Sequence, residues 1–164
     1  MRTVSLTRVR AKDFLKKNPL PAKLSTFLLR AVNDLEWVES HPERFSVQMG
    51  WWHSTVEKCY VCFAGAYLAS NGLPDNVDVA FDSPGWDLLR DSLTLLDNVR
   101  QGWWNLVFSD WEGLKGTLNN PRKLQSNFRW WVGRGPKMPE YSINPRKFKG
   151  VIRRFALRLR EAGL

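Results

Sequence analysis

The chain has 164 residues, 43% of them apolar, and its nine Trp and nine Phe suffice to fill one hydrophobic core, so a single domain over residues 1–164 is expected. The formal net charge of +9 is unevenly spread: residues 1–30 carry eight Lys/Arg against one acid, residues 31–120 five against thirteen, and residues 121–164 twelve against two. No run approaches the ~20 apolar residues of a bilayer span, and Arg2, Arg8, Arg10 and Lys12 interrupt the apolar stretch a secretory signal needs, which predicts a cytoplasmic protein without a membrane partner.

In the basic N-terminal segment, residues 1–20, Val4 and Leu6 alternate with Thr and Ser as in an edge strand, and Asn18-Pro19 forms a breaker. A helical core over 21–118 follows. Leu24, Phe27, Leu28, Ala31, Val32, Leu35 and Val38 recur at helical spacing and predict a helix that stops at His41-Pro42, because the residue before proline is pushed out of the α region. After a turn-rich passage, Cys59, Cys62, Phe63, Ala66 and Tyr67 predict a second helix, closed by Asn71-Gly72. Val77 to Phe81 alternates as a short strand would.

Three further starts pair a capping side chain with proline at the first helical position: Ser83-Pro84, Asn120-Pro121 and Asn144-Pro145. The first leads through Trp86, Leu89, Leu93, Leu96 and Val99 to a stop at Gly102, and Ser109 to Glu112 fits a capping box. Together these predict a mainly α, compact single-domain fold of five to seven helices with room for one short strand pair.

His41-Pro42-Glu43-Arg44-Phe45, then Met49, Trp52 and Cys62-Phe63-Ala64-Gly65-Ala66, form a pattern that resembles a group of small bacteriophage and bacterial proteins without an established activity. The resemblance covers about residues 35–110, with Glu57 where the group often has a second Cys. It implies a phage or mobile-element setting, in which proteins of this size commonly bind and inhibit or redirect host machinery, CRISPR effectors included.

Catalytic signals are weak. Cys59 and Cys62 with His41 and His53 have the element types of a zinc site, but all four would have to converge on one ion. Buried thiols acting as small hydrophobes are the simpler expectation, and neither a metal nor a cofactor is expected. The acids between Asp75 and Asp97 fall on the side of a patterned helix opposite its leucines or at a cap, where solvation is the ordinary outcome. An enzyme using Cys62 or a carboxylate pair stays open as a minor alternative.

The basic C-terminal region, residues 121–164, carries the main expectation. At helical steps Phe148, Val151, Ile152, Phe155, Leu159 and Ala162 share one arc, and Arg146, Lys147, Lys149, Arg153, Arg154, Arg158 and Arg160 occupy the other half; Leu157 breaks the division. Such a helix can follow a phosphate backbone or serve as a solvated face. Beside it, Arg122, Lys123, Arg129 and Arg134 interleave with Phe128, Trp130 and Trp131, as a base-stacking surface would. Core packing competes for those rings, yet adjacent Trp residues on a helix point about 100° apart and do not both face inward with ease. The expected function is a non-enzymatic, phage-encoded binder that inhibits or modulates a nucleic acid or nucleoprotein. The alternative is an inhibitor that docks an acidic host protein through exposed Trp.

Overall fold

The computed structural model describes residues 9–49, 53–55, 59–72, 79–80, 85–115, 131 and 135–164. Among them are six helices: α1 (Ala11–Lys17), α2 (Leu24–Glu39), α3 (Phe63–Ser70), α4 (Gly85–Gln101), α5 (Trp104–Lys115) and α6 (Pro145–Glu161). Five short strands accompany them: β1 (Val9–Arg10), β2 (Phe45–Val47), β3 (His53–Thr55), β4 (Cys59–Val61) and β5 (Val79–Ala80). The fold is mainly α, as expected. The chain divides into two compact units, one of residues 1–20 and 33–90, the other of residues 21–32 and 91–164.

In the first unit β1 pairs with β5 in parallel, and a second sheet has the order β2-β4-β3, with β2 parallel and β3 antiparallel to β4. The first pair includes the expected strand near Val77 to Phe81, of which Val79–Ala80 is described. The three-stranded sheet is an addition that no long alternating run announced, since each strand has only three residues. It also corrects the helix expected from Cys59: Cys59 to Val61 is a strand alternating buried, half-buried and buried. Cys62 ends that strand and caps α3, its Sγ accepting from the Gly65 amide at 3.5 Å. Helix α3 is buried along Phe63 to Ala69, so it has no polar face and no helical alternation to read.

Two asparagines bind the helix ends of this unit together. The Asn18 side-chain amide donates to the Phe14 and Asn71 carbonyls, both at 3.0 Å, and that of Asn71 donates to the Tyr67 carbonyl at 2.7 Å and to Asp34 Oδ2 at 3.1 Å. Phe14 meets the Tyr67 ring edge-on, with centroids 5.8 Å apart.

In the second unit α4 ends where Gly102 predicts. Gly102 adopts φ +72°, its amide donates to the Val99 carbonyl and the Trp103 amide to that of Asn98, both at 3.0 Å; the crossed pair is a Schellman motif that needs a left-handed residue. Residues 109–112 lie inside α5 and start no helix. Asp110, within the expected capping box, accepts from the Asn98 side chain at 2.5 Å, a partner twelve residues away. Phe27 and Trp111 stack at 6.1 Å within this unit.

Gly85 tests packing against propensity. A Cβ there would lie 2.4 Å from the Lys12 backbone nitrogen. Alanine gains ~0.5–1 kcal/mol of helix propensity, but a clash with backbone cannot be relieved by rotating a side chain, and overpacking costs about 1–3 kcal/mol. Gly85→Ala is therefore expected to lower the urea midpoint of unfolding; an unchanged or raised midpoint would show that α1 and α4 separate without cost.

Candidate functional site

Helix α6 begins at Asn144-Pro145 as the sequence predicts: the Asn144 side chain accepts from the Lys147 amide at 2.9 Å, and proline, which lacks an amide to satisfy, occupies the first turn. Phe148, Val151, Ile152, Phe155, Ala156 and Leu159 are buried. They form the expected stripe, with Ala156 added to it and Ala162 half-buried just beyond the last turn.

Aromatic rings hold this stripe. Phe155 lies 4.7 Å from Trp104, 5.0 Å from Trp131 in a stacked arrangement and 5.8 Å from Phe108, edge-on. Trp104 meets Trp131 edge-on at 5.5 Å and donates its indole N–H to the Pro136 carbonyl at 3.2 Å. No space is left beside them, since a Cβ on Gly135 would fall 2.4 Å from the Trp104 ring. Tyr141 closes the first turn of the helix over Phe148, edge-on at 5.6 Å.

With that face docked, the helical period turns the cations outward. Arg146, Lys147, Arg154, Arg158 and Arg160 are exposed, and Lys149 and Arg153 are half-buried. Arg146, Lys147, Arg154 and Arg160 make no ion pair among the described residues. The first turn has two cations and no acid, so their charge adds to the positive end of the helix dipole. Two acids of α4 pair with cations one turn away on the same helix: Asp87 with Arg90 at 3.4 Å and Asp97 with Arg100 at 3.8 Å.

Trp131 is 2% exposed. Its ring stacks on Phe155 and lies under the Arg158 guanidinium at 5.6 Å, so it serves the core and supports a surface cation where sequence alone suggested base stacking. Arg122, Lys123, Arg129, Trp130 and Arg134 lie outside the described residues. At the Trp103-Trp104 doublet Trp104 is 2% and Trp103 47% exposed, but Trp103 precedes the first residue of α5, so the helical step does not set their directions. Near it Leu106 is 41% exposed, one turn along α5, and sequence reasoning did not single it out.

The metal-type residues are dispersed. Cys59 and Cys62 are buried thiols in a strand and at a cap. His53 is in β3, in register with Val61. His41 closes α2, its Nδ1 donating to the Trp37 carbonyl at 2.7 Å while its ring lies 4.4 Å from the indole of Trp37. The Arg44 guanidinium lies over Trp37 at 5.7 Å and over Phe45 at 4.9 Å. The His-Pro-Glu-Arg-Phe motif is thus a helix stop, a turn and a ring stack leading into β2. Among the described residues no group of three Cys, His, Asp or Glu could hold a metal ion, and no helix is long and apolar enough to cross a membrane.

The surroundings of Asp110 shift its carboxyl away from its ordinary range. Burial pushes its carboxyl above the usual range, opposed by the hydrogen bond from Asn98 and aided by the charge of Asp91. A raised folded pKa means that stability is full below the unfolded carboxyl range, ~4, and declines as pH rises through the folded value. Asp110→Asn keeps an oxygen for Asn98 and is expected to flatten that decline in urea titrations across mildly acid pH. Phe155→Ala is expected to cost about 3–5 kcal/mol by the same measurement, because the three rings packed on it cannot collapse into the cavity.

No protein-family model matches the chain, and no curated protein or solved structure matches it.

Proposed function

We propose that the chain is a non-enzymatic binding protein that engages a nucleic acid or a nucleoprotein through the outward face of α6. The observation that carries this reading is the set of exposed cations on α6, four of them without an ion pair among the described residues, fixed on a helix whose other face is docked. Cations held on a rigid element neutralise phosphates and release their counterions, which favours binding and makes it steeply salt-dependent. The resemblance over residues 35–110 adds the setting: a phage-encoded protein acting in the host cytoplasm on host machinery, for example a defence complex such as a CRISPR effector.

Trp103 and Leu106, both exposed at the start of α5, favour a second reading, an inhibitor that anchors on an acidic host protein. Salt separates the two, because phosphate tracking weakens steeply with log salt and an aromatic-anchored interface changes little.

Arg154→Glu with Arg160→Glu leaves the buried stripe untouched and is expected to preserve the circular dichroism spectrum. In fluorescence anisotropy it should reduce the slope of log affinity against log salt by about two, one for each lost phosphate contact. Unaltered affinity and slope in a folded double variant would remove the nucleic-acid reading, and loss of partner capture from host lysate on Trp103→Ala instead would establish the second.

A further inference from the structure

The cations of α6 are arranged in a way that distinguishes among polyanions. At about 100° per residue, Gly150 and Leu157 lie within ~20° of one line along the exposed side of the helix, and Arg146 continues it toward the N-terminus. Lys149, Arg153 and Arg160 fall about 40–80° to one side of that line, and Lys147, Arg154 and Arg158 about 60–100° to the other. Between Arg146 at the N-terminal end and Glu161, about 40° off the line at the other, the centre of the face is small or apolar, with Gly150 exposed and Leu157 48% exposed, and cations flank it on both sides. Glu161, the one acid in the helix, stands in the last turn.

We infer that α6 lies lengthwise in the major groove of a B-form DNA duplex, its two cationic flanks reaching the phosphates of opposite walls and its Gly150–Leu157 line facing the groove floor. The inference rests on the reading of α6 as a polyanion-binding face and narrows it. A single strand presents one row of phosphates, which one flank would serve; two flanks separated by the Gly150–Leu157 line fit two walls. The dimensions agree, since a helix with its side chains is roughly 10–12 Å across and the major groove about 12 Å wide. From Lys147 to Arg160 the cations extend ~20 Å along the axis. An apolar side chain at the floor meets thymine methyl groups without leaving a buried polar group unsatisfied, whereas A-form RNA has a major groove too narrow to enter. Arg158, its guanidinium 5.6 Å from the Trp131 ring centroid, is steadied on one flank by that ring.

The test uses the full chain and a labelled mixed-sequence DNA duplex of about 20 base pairs, two helical turns, compared with the same duplex carrying glucosylated 5-hydroxymethylcytosine, which fills the major groove. Groove docking predicts that glucosylation weakens binding at least about tenfold, that netropsin in the minor groove does not compete, and that the single strand and the duplex RNA bind more weakly than the DNA duplex. Arg154→Gln and Arg160→Gln, one from each flank, should each weaken duplex binding to a similar degree while the circular dichroism spectrum is retained.

Equal affinity for the glucosylated duplex, competition by netropsin, tighter binding of the single strand or RNA, or dependence on one flank only would overturn the groove inference and leave the polyanion reading standing. Absence of binding to every nucleic acid, with capture of an acidic protein, would overturn both.

Discussion

Docking of the α6 stripe onto Trp104, Phe108 and Trp131 is the interaction on which the rest of the proposed function depends. Phe155 is its centre, touching all three rings within 5.8 Å. A helix has one rotational degree of freedom about its axis, and burying this ring fixes it. Every exposed cation of α6 is then aimed by helical geometry, with no hydrogen bond needed to hold it. Preorganisation of this kind matters for binding because ordering long arginine side chains on a mobile segment would oppose association. The backbone of the face is already ordered, and only the tips remain to be placed.

The charge pattern is consistent with an outward role for that face. Two of the three aspartates of α4 have cationic partners one turn away on their own helix, Asp87 with Arg90 and Asp97 with Arg100. Exposed pairs of this type add little stability, but they locally neutralise the acids. Arg146, Lys147, Arg154 and Arg160 stay uncompensated among the described residues and remain sources of positive potential. Placing Arg146 and Lys147 in the first turn opposes the helix dipole and costs some helix stability. An acid there would favour the helix instead, as Asp13 does in α1 and Asp87 in α4.

The motif that carries the resemblance has a different use. The His41 ring packs on Trp37 and the Arg44 guanidinium lies over Trp37 and Phe45, where the chain ends a helix and starts a strand. A residue pattern with this much local structural purpose informs about the fold of its unit and leaves the partner to be decided by the charged surface elsewhere.

Local patterns in the sequence determined the long helices, the Gly102 stop, the Asn144 cap and the segregation of α6 into apolar and cationic halves, since each depends on residues within one or two turns of one another. Only the tertiary structure decided that Cys59 belongs to a strand, because a three-residue strand is defined by its neighbours β2 and β3 and has too few residues to show a period. The same holds for Asp110, which looked like part of a cap until Asn98 was seen to hold it, and for Trp131, whose ring is taken from the surface by Phe155. Periodicity can say which face of a helix is apolar; what covers that face depends on residues distant in the chain, and a side chain's final use is fixed by them.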